Sequence, residues 1–272
     1  MVPSKGDFIE GLARVGYVAK GVVYLMIGGI TVWLLVGPGN ESNEPAVGPR
    51  EALGTLAGTG FGSVLLGLMA LGLLAYAAWR WTQAALDPEN AGSDAKGLAK
   101  RFGYACSGTV YAALALQCVL LILGAASDSG PDAATKWSRK LMALPFGHWV
   151  LGAIGVGIAI AGCYQLYRGW TKNFCDELKL DQMTDRQRTL SGYIGQAGFI
   201  ARGIVYLIIA ALAMKAAVAS NAGTAGGIGE ALTTLTKRTY GEVALAAVAG
   251  GLFLYGLFAV IVLAPYRRIR AE

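Results

Sequence analysis

Six stretches of the chain are apolar over about 20 residues or more, the length needed to cross a bilayer as a helix at ~1.5 Å per residue. They run roughly over Leu12–Val36, Phe61–Ala85, Gly103–Ala126, Phe146–Arg168, Phe199–Ser220 and Val243–Pro265. The connections between them alternate in kind. Those after the first, third and fifth stretches carry a short mixed segment: E-A-L-G-T-L from Glu51 to Leu56, S-R-K-L-M-A-L from Ser138, and E-A-L-T-T-L from Glu230 to Leu235. Leucines three apart beside charged residues predict a short helix lying in the membrane interface. The predicted unit is helix, interfacial helix, helix.

That unit recurs in sequence as well as in pattern. Three helices open on one frame, [RQ]-x-G-[YF]-x-x-x-G-x-V-Y, read from Arg14, Arg101 and Gln196. Their partners share a second signal, in which Leu53, Leu141 and Leu232 precede Tyr76, Tyr164 and Tyr255 at one fixed spacing. An aromatic follows each of these tyrosines by three positions (Trp79, Tyr167, Phe258), and then Arg80, Arg168 or Ala259. The expectation is an all-α integral membrane protein of three tandem helical hairpins with pseudo-threefold symmetry, over residues 1–90, 91–185 and 186–272, forming one membrane domain.

Composition narrows the class. Apolar residues make up 55% and charged ones 15% of the 272 residues, against about a quarter charged in soluble domains, with 39 glycines placed inside apolar runs. A soluble enzyme, a disordered chain and a secreted disulfide scaffold are excluded. The first apolar run carries Arg14 and Lys20 and lacks a small-residue cleavage site, so no cleavable leader is expected. Of the 23 lysines and arginines, 16 fall near the termini and the second and fourth connections, which predicts cytoplasmic termini by the positive-inside rule. The net charge of +6 is then accounted for by anionic lipid, with no nucleic-acid partner.

Candidate chemistry is sparse. His148 is the single histidine and the four cysteines (Cys106, Cys118, Cys163, Cys175) form no C-x-x-C pair, so no metal site, cofactor or nucleophile–base pair is expected and the chain does not read as an enzyme. The repeated glycines Gly16, Gly21, Gly103, Gly108, Gly198 and Gly203 are expected to pack helices closely. Lys20 with Tyr24, Tyr76 with Arg80, and Arg202 with Tyr206 are each four residues apart and share a helix face. With Tyr111, Tyr164, Arg168 and Tyr255 they define six tyrosines and four cations at one depth of the cytoplasmic half, with no carboxylate expected among them. Such cations either reach out to lipid phosphates or line an anion-binding vestibule.

The opening frame, and the A-L-x-x-L segment followed by a glycine-rich helix, resemble the bacterial domain of unknown function 1206 family, in three copies from about Leu12 to Pro265. The resemblance implies a six-helix inner-membrane protein and carries over no activity, substrate or catalytic residue. Ser107 stands where the other copies have Lys20 and Arg202, so the resemblance supplies no set of three equivalent cations. Two readings of function remain. One is a non-catalytic carrier, channel or lipid-binding protein for a small anionic solute or lipid, with membrane lipids as partners. The other is an accessory or scaffold subunit, whose partners are other membrane subunits or further copies of itself.

Overall fold

A computed structural model describes residues 5–36, 48–57, 60–88, 90, 92–125, 133–221, 223, 225–236 and 241–268. The far end of the third apolar run at Ala126 and the cations Lys237, Arg238 and Arg270 lie outside them. Ten α-helices are described: α1 (Lys5–Val36), α2 (Pro49–Ala57), α3 (Gly62–Leu86), α4 (Ala95–Ile122), α5 (Ala133–Met142), α6 (Gly147–Thr171), α7 (Asp185–Val218), α8 (Ile228–Thr236), α9 (Gly241–Phe258) and α10 (Ala264–Tyr266). A π-helical turn, Ala259–Leu263, joins α9 to α10. Six of the helical segments are long and apolar enough to cross a membrane, the architecture of a multi-pass membrane protein. The short helices α2, α5 and α8 fall where the three mixed segments predict them.

α1, α4 and α7 begin well before their apolar stretches, and for α4 and α7 a cap marks the start. α4 starts at Ala95 because Asp94 caps it, its Oδ1 accepting from Gly97 N at 2.9 Å. α7 starts at Asp185 behind a capping box of Thr184 and Gln187. Both first turns are polar, so hydropathy alone does not mark them.

The opening frame resolves into three jobs. In two copies its first residue ties the helix to carbonyls near the C-terminal end of a neighbouring helix. Arg14 Nη1 donates to Pro265 O at 3.0 Å, and Arg101 Nε and Nη2 donate to Ala84 O and Ala85 O at 2.8 and 3.0 Å. The second glycine is where neighbouring repeats meet. A Cβ at Gly21 would lie 2.6 Å from Val260, one at Gly108 2.7 Å from Trp81, and one at Gly203 2.6 Å from Leu166. These contacts join α9 and the π turn after it to α1, α3 to α4, and α6 to α7.

The first glycine closes the hairpin, in two copies only. A Cβ at Gly16 would lie 2.6 Å from Tyr76 Cα, and one at Gly198 would lie 2.7 Å from Tyr255 Cα, so α1 packs on α3 and α7 on α9 at backbone contact. At Gly103 nothing lies within 4 Å, which corrects its assignment as a packing glycine. The physical reason is that among the described residues α4 and α6 make at most marginal contact; α4 is held by α3 and α6 by α7. Around the bundle the helices therefore run α4, α3, α1, α9, α7, α6, and the second hairpin is parted.

After α6 the chain turns at Lys172, whose φ of 56° is left-handed, into a 3₁₀ turn at Asn173–Glu177 that folds beneath the bundle. Phe174 is buried there, stacked on Phe199 at 4.9 Å and edge-on to Phe258 at 5.3 Å. Lys179 N donates to Tyr266 O at 2.7 Å and Arg268 N to Glu177 O at 2.8 Å, clamping this turn to the chain's C-terminal end.

The glycine contacts make a direct prediction. Gly16→Ala or Gly198→Ala forces a methyl into the backbone of the opposing helix and should destabilise by about 1–3 kcal/mol, the usual range for overpacking. Gly103→Ala meets open space and should leave the thermal midpoint in detergent unchanged. Equal loss in all three variants would refute the parted second hairpin.

Candidate functional site

The terminal half of the bundle holds a cavity of about 120 Å³ to which every membrane-spanning segment contributes. Since one water needs only ~10–15 Å³ measured this way, several waters or one small polyatomic ion fit. Five basic side chains line it, Lys20, Arg80, Arg168, Arg202 and Arg267, with a single carboxylate, Glu177.

Lys20 comes from α1 and is 4% exposed. Its Nζ donates to Tyr76 Oη at 3.1 Å and lies 5.1, 5.7 and 5.3 Å from the ring centres of Tyr76, Tyr111 and Tyr255. The ammonium thus sits in an aromatic cage, an arrangement that stabilises a cation through the negative ring faces. Arg80, from α3, donates to the same Tyr76 Oη from Nε at 2.9 Å and Nη2 at 2.6 Å, and to Gln83 Oε1 from Nη1 at 2.9 Å. One phenol oxygen therefore serves two cations.

Arg202, on α7, is 7% exposed. Its Nη2 donates to Tyr206 Oη at 2.8 Å, and the Gln165 amide, with its oxygen and nitrogen exchanged, accepts from both Nη atoms at 3.1 Å. The guanidinium lies over Tyr255, Tyr206 and Tyr24 at 4.2, 5.4 and 5.3 Å, while its buried Nε has no hydrogen-bond partner among the described residues. Arg168 and Arg267 share Glu177, with N–O distances of 2.8 and 3.3 Å. Among the described residues no carboxylate pairs with Lys20, Arg80 or Arg202.

Most of the sequence-predicted residues converge here. Lys20, Arg80, Tyr111, Arg168, Arg202, Tyr206 and Tyr255 line the cavity, and Tyr24 and Tyr76 support it from behind. Tyr164 does not line the cavity, although its ring lies 5.9 Å from the Arg168 guanidinium. It is 56% exposed, because the α6 face turned inward carries Gln165, while Tyr164 lies on the side left open by the parted hairpin. The expectation of a zone without acids is also corrected: Glu177 enters it from the 3₁₀ turn beneath the bundle, a position no helical spacing reveals. Lys20 and Arg202 are buried and directed inward rather than extended to the end of the bundle.

Sequence reasoning passed over Tyr17, Ser107, Gln165, Phe199, Leu263 and Arg267, which also line the cavity. Tyr17 and Phe199 had a signal, since both occupy the [YF] position of the repeated frame. Arg267 had none, standing in a basic C-terminal run that reads as a solvated fringe.

Outside the spans, Arg14 beside Glu10, donating from Nε at 3.1 Å, holds that carboxyl below its ordinary range, and burial pushes the Cys175 thiol up. A raised thiol is a poor nucleophile at neutral pH. Among the described residues no group of three or more histidine, cysteine or acidic side chains is placed to hold a metal ion.

Residues 15–87, 102–172 and 197–262 each match the family described as Domain of Unknown Function (DUF1206), every match beginning one residue into the repeated frame. The chain is similar to "Uncharacterized protein YxxB" of Bacillus subtilis (strain 168), with 30% identity over 254 residues, 93% of this chain and 90% of the relative. No solved structure matches it. The matches cover most of the chain in three segments, so the protein belongs to the DUF1206 family as a tandem array of three copies of its domain.

Proposed function

We propose that this protein binds a small anionic solute or the anionic part of a lipid in a cytoplasm-facing vestibule of the bacterial inner membrane, without catalytic chemistry and with both termini cytoplasmic. The observation that carries the reading is the burial of Lys20 and Arg202 beside one cavity with only hydroxyl, amide and ring partners. A charge within a membrane costs ~2.5–3.5 kcal/mol at the helix centre on insertion scales. Aromatic faces offset part of that. An oxyanion in the cavity offsets the rest, because guanidinium forks match the paired oxygens of phosphate or carboxylate. The unpartnered Nε of Arg202 is a donor such an anion would satisfy. Positive excess at the cytoplasmic side would also draw anions inward from that side.

A second reading, an accessory subunit, is favoured by one observation: the sides of α4 and α6 that face each other are not packed, and a helix of another chain or another copy would cover them.

Binding should be saturable for at least one of phosphate, sulfate, a dicarboxylate or a short-chain anionic phospholipid, by calorimetry on detergent-purified protein. Arg202→Gln should weaken it by about tenfold or more, whereas Arg14→Gln, which alters a charge outside the cavity, should not. No binding across that panel refutes the reading.

Stability supplies an independent check. If Lys20 is kept for a ligand and not for the fold, Lys20→Met should raise the ligand-free stability by about 1–3 kcal/mol, as removal of buried ionic groups often does. It should at the same time reduce the stabilisation produced by the bound anion. A lower midpoint without ligand would instead make Lys20 a structural donor to Tyr76.

A further inference from the structure

We infer that the anion is the headgroup phosphate of a membrane phospholipid, which reaches the cavity sideways between α4 and α6 and leaves its acyl chains in the apolar cleft between those helices. The inference rests on the anion-binding reading and adds the ligand's class and its route.

The route is set by what the second copy lacks. In the first and third hairpins a glycine–tyrosine contact, Gly16 on Tyr76 and Gly198 on Tyr255, seals the two helices. The equivalent pair is Gly103 and Tyr164. Nothing lies within 4 Å of the first, and the second is 56% exposed. Yet both helices line the cavity, α4 through Ser107 and α6 through Gln165. The cavity wall is therefore interrupted between them, along the bundle's side.

The same copy replaces the basic residue of the frame with the short side chain of Ser107. On α6, Gly157 and Tyr164 are seven residues apart and so form one stripe, turned well away from Gly155, Gly162 and Gly169, which grip α7. Nothing lies within 4 Å of Gly157 either. Of the apolar stretches of α4 and α6 only 22% is buried, against 44–56% in the other four spans.

Charge complementarity selects the occupant. The exposed flanks of α4 and α6 are mainly apolar, with Ser107 and Tyr164 among them, and meet a cavity lined by five basic side chains and one carboxylate. A hydrophilic anion from water matches the cations but gains nothing from an apolar slot open to lipid. A phospholipid matches both: its phosphate oxygens take the Arg202 and Lys20 donors, and its chains remain in hydrocarbon throughout. An anionic phospholipid phosphate held this way also explains why the gap lies at the depth of the cations.

The test compares inorganic phosphate, dihexanoyl phosphatidate and dihexanoyl phosphatidylcholine on the full chain in neutral detergent, for wild type, Gly103→Trp and Gly157→Trp. Each tryptophan fills the cleft from one flank, so one variant serves if the other does not fold. Phosphatidate should bind about tenfold or more tightly than inorganic phosphate and than phosphatidylcholine. Either tryptophan should weaken phosphatidate by about tenfold while leaving inorganic phosphate within about twofold of wild type. Phosphate binding as tight as phosphatidate, or phosphatidate binding indifferent to both tryptophans, overturns the lateral lipid route and leaves the vestibule standing. Absence of binding by all three probes, to wild type as well, overturns the lipid route together with the anion reading as far as phosphates are concerned. Intact-complex mass spectrometry of the unmutated protein should show a bound anionic phospholipid that the tryptophan variants lose; a protein subunit retained in the cleft instead would overturn the inference.

Discussion

Everything at the terminal half of this bundle depends on how closely two pairs of helices meet. Where Gly16 lies under Tyr76 and Gly198 under Tyr255, the backbones touch, and each tyrosine ring is delivered to a fixed place in the middle of the bundle. Tyr76 then offers its oxygen to Lys20 and Arg80, and Tyr255 offers its ring to Lys20 and Arg202. Without a hydrophobic driving force between helices in lipid, such close van der Waals contact is what holds them. The packing device and the site are the same residues, which ties the stability of the hairpins to the geometry of the cations.

Neutral tyrosines do the work that carboxylates do in most buried ion clusters. A carboxylate beside each cation would cancel its charge and leave nothing for a ligand. Phenol oxygens and ring faces hold the cations in place and stabilise them only in part, so the cluster keeps a positive field. Glu177 balances Arg168 and Arg267 at the lower edge, where the 3₁₀ turn enters, and leaves Lys20, Arg80 and Arg202 to face the cavity. The gradient runs from paired charges at the end of the bundle to unneutralised ones inside it, which is the direction in which an anion would be drawn.

The spans and the threefold recurrence were plain in the sequence, because twenty-residue apolar runs and a repeated eleven-residue frame are properties of composition and spacing. Periodicity also put Arg202 with Tyr206, whose hydroxyl it reaches, since residues four apart on one helix share a face whatever surrounds them. It failed where the answer depends on a second helix. Tyr164 matches Tyr76 and Tyr255 in register, but α6 presents Gln165 to the cavity because α6 packs on α7 and not on α4. Gly103 fails for the same reason. Glu177 and Arg267 belong to segments with no periodicity, brought under the bundle by the left-handed turn at Lys172 and by the bridge between Leu178 and Arg267.

The third copy shows how a repeat protein can lose a residue and keep its chemistry. Ala259 stands where the first and second copies carry Arg80 and Arg168, and it is the first residue of the π-helical turn. A π turn takes an extra residue into the helix and rotates the residues C-terminal to it. Beyond it the chain leaves the helix at Arg267, which lies over Tyr17 at 5.2 Å and meets Glu177 from the side opposite Arg168. The cation missing from the helix is thus replaced from the segment after it. Three walls of the cavity, one per copy, each carry an arginine by this route: Arg80, Arg168 and Arg267. The second copy, which lost the frame's basic residue to Ser107, has no such replacement on α4, and it is the copy whose hairpin stands open. Loss of charge and loss of helix contact fall on the same side of the bundle, the side by which the proposed lipid would enter.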